Sequence, residues 1–159
     1  MSETTVNEAA AAAPAPKPKR PKAKSMIMMG EQTAAMFENA RLAKEKGEPV
    51  GWSASIFPQE IAETLGLNVL YPENHAAGIA ARHQADPFLQ ECEGEIGYSN
   101  DLCAYAKVNL AYAAVLNGES EIELPDGGKM VKLDFLLLTN NICNQLTKWY
   151  ENLSKQMNI

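Results

Sequence analysis

Apolar residues recur at helical spacing through residues 27–46 (Met29, Ala34, Met36, Ala40, Ala43) and Gly47 follows as a stop signal, so the pattern predicts a helix there. A short apolar run over residues 49–52 predicts a buried strand, which breaks into Ser53, Ala54 and Ser55. Pro58 stands where a first-turn proline belongs, and residues 59–65 form a helix ended by Gly66. Residues 68–71 predict a second strand stopped by Pro72, and helical segments follow at about 76–82, 87–95 and 100–116. Residues 121–124 and 129–132 flank the turn residues Pro125, Asp126, Gly127 and Gly128, the pattern of a β-hairpin. The unbroken apolar run 135–138 suits a strand buried on both faces of a parallel sheet, and a last helix covers about 142–157.

Strands alternating with helices across short loops predict an α/β fold, a partial parallel sheet flanked by helices in the manner of a Rossmann- or flavodoxin-like half, with the hairpin as an insertion. Three core strands are few for such a sheet, and the sequence stops after a helix, where another strand is expected. Residues 26–159 therefore read as the N-terminal α/β domain of a larger subunit whose C-terminal domain is absent. Residues 1–25 read as a disordered Ala/Pro/Lys-rich tail.

Composition narrows the function classes. The hydrophobic content of 46% excludes disorder throughout. No apolar run approaches the roughly 18 residues of a membrane span. The basic cluster follows the Ala9–Ala13 run instead of preceding it, so no secretory signal is expected. Five basic and two acidic residues leave residues 1–25 at +3 and the rest of this −6 chain at −9, which argues against a nucleic-acid backbone as partner. Cys92, Cys103 and Cys143 are odd in number and lack CxxC spacing, which fits a reducing cytoplasm better than a disulfide framework or a zinc knuckle.

In open α/β sheets ligands collect outside the carboxyl ends of the strands. That rule brings Ser53 and Ser55, then Glu73, Asn74 and His75, then Asn140, Asn141 and Cys143 to one edge. Cys143 follows two asparagines, and Cys103 follows Ser99, Asn100 and Asp101; both runs are able to cap a helix. At a helix start the positive end of the dipole favours thiolate over thiol, and thiolates are what iron–sulfur clusters require. Either cysteine is also acceptable as a small buried apolar side chain, and both readings stay open on this ground alone. Cys92 sits among Glu91, Glu93 and Glu95, where a thiolate is disfavoured, and is expected to be structural. Glu73 is a candidate base or hydrogen-bonding group, as readily a capping or surface residue; Ser55 and His75 carry the same ambiguity, and His83 is expected at the surface. The sequence has no Gly-rich phosphate loop, HExxH or GxSxG.

Four ordered blocks, GEPVGWSASIFPQEIAETLGL, YPENHAAGIAAR, IGYSNDLCAYAKVNLAYA and DFLLLTNNICNQLTKWYENL, resemble the 2-hydroxyacyl-CoA dehydratases, in particular the α-type subunit of the 2-hydroxyglutaryl-, phenyllactyl- and lactoyl-CoA enzymes. The resemblance covers about residues 44–159. It implies a cytoplasmic, heterodimeric iron–sulfur lyase of anaerobic amino-acid fermentation, which removes water from (R)-2-hydroxyacyl-CoA to give the 2-enoyl-CoA. By that resemblance the β-type subunit is one partner, and an ATP-dependent iron–sulfur activator delivers one electron, giving a ketyl radical that expels the 2-hydroxyl group. A [4Fe–4S] cluster is the implied cofactor, with a flavin in some members.

Position by position, the resemblance makes Cys103 and Cys143 cluster ligands and places Ser55 and Glu73 near the substrate oxygen and the moving proton. Cys92 matches no ligand position. Three departures accompany it. The family's third ligand cysteine lies in a C-terminal half that this sequence lacks. The 121–132 segment puts Cys143 40 positions after Cys103, and Leu133 replaces a proline usual before the Asp-Phe pair. With two ligands and no second domain, the polypeptide is expected to be inactive alone. The related benzoyl-CoA reductases, and a short non-catalytic chain that binds a partner subunit, are the competing assignments.

Overall fold

The computed structural model describes residues 21–125, 127–141 and 143–159. In chain order these form α1 (Lys24–Glu45), β1 (Val50–Ser53), α2 (Gln59–Thr64), β2 (Asn68–Leu70), α3 (Pro72–Ala81), α4 (Asp86–Gly94), α5 (Ala104–Asn117), β3 (Phe135–Leu137) and α6 (Asn144–Met157). The three strands make one parallel sheet in the order β2-β1-β3, the α/β arrangement expected. Of the tail expected over 1–25, residues 1–20 lie outside the described residues, and α1 already begins at Lys24.

β1 is central because each of its residues can be buried on both sides. Val50, Gly51 and Trp52 pair with Asn68, Val69 and Leu70 of β2; Gly51, Trp52 and Ser53 pair with Phe135, Leu136 and Leu137 of β3. The Phe135 ring lies across Gly51 so closely that a Cβ there would sit 2.1 Å from Phe135 Cε2, which is why this central position carries no side chain. Trp52 is fully buried and its indole N–H donates to the Val131 carbonyl at 3.2 Å. Burying a side chain of the Leu or Phe class contributes about 1.5–3 kcal/mol, so Trp52, Leu70, Phe88 and Ile79 anchor the core.

α5 is apolar on nearly every side and packs against α3, α4 and α6, as an all-round apolar helix must. It ends at Gly118, whose φ of 76° serves the left-handed C-cap. α6 buries one stripe, Leu146, Trp149, Tyr150, Leu153 and Met157, at helical spacing.

Three expectations change. The arms of the expected hairpin form no strand among the described residues of 121–132, and Asp126 of its turn lies outside them. Met130 and Leu133 are instead buried in the core, the Val131 carbonyl is taken by Trp52, and the Met130 N–H reaches the Tyr112 hydroxyl at 3.4 Å. Burial of one arm's apolar residues has displaced cross-strand pairing. α3 starts at Pro72, four residues before the expected helix, because proline is pre-set for a first helical position as well as unfit for a strand. α5 starts at Ala104, later than expected, because Ser99 and Asn100 belong to a loop.

Candidate active site

The carboxyl ends of β1 and β2 bring the first group together. Glu73 lies in the first turn of α3, and its Oε2 accepts from both the Ser55 N–H and the Ser55 hydroxyl, each at 3.0 Å. Asn74 Oδ1 stands 3.4 Å from the same hydroxyl. Two donors on one carboxylate oxygen fix the Glu73 side chain, while its Oε1 carries no hydrogen bond among the described residues. The buried Asn109 of α5 donates to the Pro72 carbonyl at 3.0 Å and to the Tyr105 carbonyl at 2.8 Å, tying the start of α3 to the first turns of α5.

Cys103 and Cys143 reach the same place from the other side. Both line, with Glu73, a cavity of about 200 Å³ walled by Ile56, Tyr105, Leu146 and Trp149. Each cysteine is the N-cap residue of its helix, α5 or α6, with extended or near-extended backbone, and so stands one position before the first turn instead of within it. Neither helix start has a side-chain cap: Ser99 Oγ accepts from the Asp101 N–H, and Asn141 is bonded to Thr139. Two helix N-termini without side-chain caps therefore border one cavity, each contributing partial positive charge beside its cysteine.

The other residues expected at the edge go elsewhere. His75 is 5% exposed and packs edge-on against Tyr112, with ring centroids 4.7 Å apart, so it belongs to the core and not to the site. The early start of α3 causes this: helical geometry turns His75 inward two positions after Glu73. Ser53 is buried in β1, and Asn140 and Asn141 are exposed outside the cavity lining. Cys92 is fully buried and its thiol is pushed up to about 11 by burial, in keeping with a structural role. His83 is exposed. The cavity walls were not singled out from the sequence, although Tyr105 and Leu146 stand two and three positions after a cysteine, where the first helical turn brings side chains beside the cap residue.

Residues 54–159 match the family model described as 2-hydroxyglutaryl-CoA dehydratase, D-component. The chain belongs to this dehydratase family. It is 47% identical over 137 residues to the (R)-2-hydroxyisocaproyl-CoA dehydratase alpha subunit of Clostridioides difficile, covering 86% of this chain and 31% of the relative. It is 48% identical, with the same coverage, to the (R)-phenyllactyl-CoA dehydratase alpha subunit of Clostridium sporogenes. Against one of the polypeptides of the benzoyl-CoA reductase of Thauera aromatica, identity falls to 29% over 133 residues, 81% of this chain and 29% of the relative. The chain thus spans about a third of the length of the first two relatives.

As a test of the cluster implied by the resemblance, the donor set of this dehydratase-family chain is chemically suited but partial. Two thiols share one cavity, yet among the described residues no group of three or more His, Cys, Asp and Glu side chains is placed to hold a metal. A cluster bound here would need further ligands from outside these residues.

Proposed function

We propose that this chain is the N-terminal part of the α subunit of an (R)-2-hydroxyacyl-CoA dehydratase, acting in the cytoplasm with a β-type subunit and an ATP-dependent iron–sulfur activator. Cys103 and Cys143 hold a [4Fe–4S] cluster in this reading. The observation that carries it is the convergence of these cysteines, 40 positions apart in sequence, with Glu73 on a single cavity.

A cluster held by these two thiols and further ligands would supply Lewis-acid chemistry toward a substrate oxygen. The chain's own residues do the rest. Ser55 holds Glu73 through its N–H and hydroxyl, leaving Glu73 Oε1 for the proton that moves as water is eliminated. Ile56, Leu146 and Trp149 give the cavity an apolar wall against which an acyl chain would pack. With two ligands in this polypeptide, turnover requires the remaining ligands and the partner proteins.

The test is anaerobic reconstitution of the full-length α subunit with its partner, measuring iron, acid-labile sulfide and dehydration of 2-hydroxyacyl-CoA. Cys103→Ala and Cys143→Ala are each expected to lower iron and abolish activity. Wild-type iron in both variants refutes the ligand assignment. Activity on benzoyl-CoA in place of 2-hydroxyacyl-CoA would move the protein to the reductase class.

A further inference from the structure

Lys107 is a charged side chain buried within α5, with 5% of its side chain exposed. Its ammonium is paired with Glu93 on α4 and donates to the Asn100 carbonyl at 3.0 Å. Neither partner touches the cavity, and nothing in the proposed chemistry uses this cation. Burying an ammonium is costly unless it is paired and hydrogen-bonded, so its placement needs an explanation.

The explanation lies in what the two partners hold. Residues 95–103 leave α4 and lead into α5, ending at Cys103. Its first part is fixed to α4, by Ile96 N–H to the Glu91 carbonyl at 3.0 Å and Tyr98 N–H to the Cys92 carbonyl at 2.9 Å. Its second part, residues 99–102, bonds chiefly to itself: the Asp101 N–H reaches Ser99 Oγ at 3.3 Å and the Leu102 N–H reaches the Ser99 carbonyl at 3.2 Å. Ser99, Asn100 and Asp101 are exposed, and α5 has no side-chain cap to anchor its entry. Lys107 supplies the missing tie. One turn into α5, its N–H bonds the Cys103 carbonyl at 3.0 Å while its ammonium grips both Asn100 and α4.

We propose that Lys107 is a positioning residue: by clamping the 99–102 loop to α4, it holds the Cys103 thiol at the cavity rim in readiness for its metal. The inference takes its functional meaning from the ligand reading above, but its test needs no cluster. In the 159-residue chain under anaerobic, reducing conditions, alkylation rates of the three cysteines by iodoacetamide are measured one by one by peptide mass spectrometry. Cys143, on a separate loop, serves as the internal standard, because Cys92 lies beside both Lys107 and Glu93 and its own surroundings change with them.

Loss of a charge-assisted hydrogen bond corresponds to about a tenfold or greater shift in the loop's local opening equilibrium. Lys107→Met is therefore expected to raise Cys103 labelling about tenfold while Cys143 keeps its wild-type rate. Lys107→Arg, which keeps the cation but brings a larger head group into the buried site, restores part of the slow rate. Glu93→Gln, a mild change at a half-exposed site, gives a smaller rise at Cys103 that Cys143 does not share and guards against poor folding of the Met variant. Unchanged Cys103 labelling in both Lys107→Met and Glu93→Gln overturns the proposal. So does a rise shared equally by Cys103 and Cys143, because that is the signature of general destabilisation. Absence of iron binding in the full subunit, in contrast, would overturn the ligand reading and leave the clamp standing.

Discussion

Gly51→Ala tests the sheet architecture that carries the site. A Cβ at Gly51 would stand 2.1, 2.4 and 2.5 Å from Cε2, Cδ2 and Cζ of Phe135. Carbon atoms pack at about 3.5–4.0 Å, so the ring must withdraw by roughly 1.5 Å. The backbone beneath it is not free to follow, since the Asp134 N–H bonds the Val50 carbonyl at 2.7 Å and the Ala54 N–H bonds the Leu137 carbonyl at 2.8 Å. The ring must therefore swing off the sheet. Phe135 is only half-buried, so the burial lost is on the order of 1 kcal/mol. An off-rotamer χ adds about 0.5–1.5 kcal/mol, which makes the expected cost about 2 kcal/mol. In a Phe135→Ala background these three nearest atoms are gone and Gly51 has no left-handed φ, so the same change should cost at least about 1 kcal/mol less than in the wild-type background. Urea unfolding of the four proteins, followed by circular dichroism and tryptophan fluorescence, gives the coupling as a double-mutant cycle. A cost below about 0.5 kcal/mol for Gly51→Ala alone, or the same cost in both backgrounds, would refute the reasoning.

Two further perturbations address single groups. Burial pushes the Asp134 carboxyl up, but the Lys44 ammonium, at 2.7 and 2.8 Å, and the Val50 N–H outweigh it and hold it below its usual range. Its stabilising contribution is therefore present above the unfolded pKa near 4 and is lost as pH falls through the lower folded value; with both partners partly exposed it should amount to about 1 kcal/mol or less. The stability gap between wild type and Asp134→Asn should accordingly close in acid, and a gap that widens below about pH 4 contradicts the assignment. The Tyr150 hydroxyl is buried without a hydrogen-bond partner among the described residues, and burial, reinforced by the Glu73 carboxylate, pushes its phenol above the ordinary value. Tyr150→Phe should leave stability unchanged or raise it by up to about 1 kcal/mol in thermal unfolding, and a loss greater than that would reveal a partner.

Much of the local structure was legible because it follows from short-range rules. The apolar runs of β1 and β3, the existence of the final helix α6 and the glycine stops at Gly47 and Gly66 need no tertiary information. Prolines were harder, because Pro72 both ends β2 and opens α3, and periodicity cannot say that one residue does both. The 121–132 segment carries genuine hairpin chemistry, yet Trp52 and Tyr112 take its polar groups and the core takes Met130 and Leu133, and these competitors lie far away in sequence.

The candidate site divides along the same line. Sequence alone determined which residues are chemically able to act: two thiols at helix starts, a glutamate and a serine at strand ends, and a family pattern joining them. Only the tertiary structure decided which of these meet. The order β2-β1-β3 and the packing of α5 against α3 and α6 place Glu73, Cys103 and Cys143 on one cavity, while the same helical geometry turns His75 into the core. The physical reason is that reactivity belongs to side chains, whereas convergence depends on long-range packing. That packing also explains Lys107, an ordinary lysine in the sequence that in the fold is a buried cation tying the Cys103 loop to its neighbour.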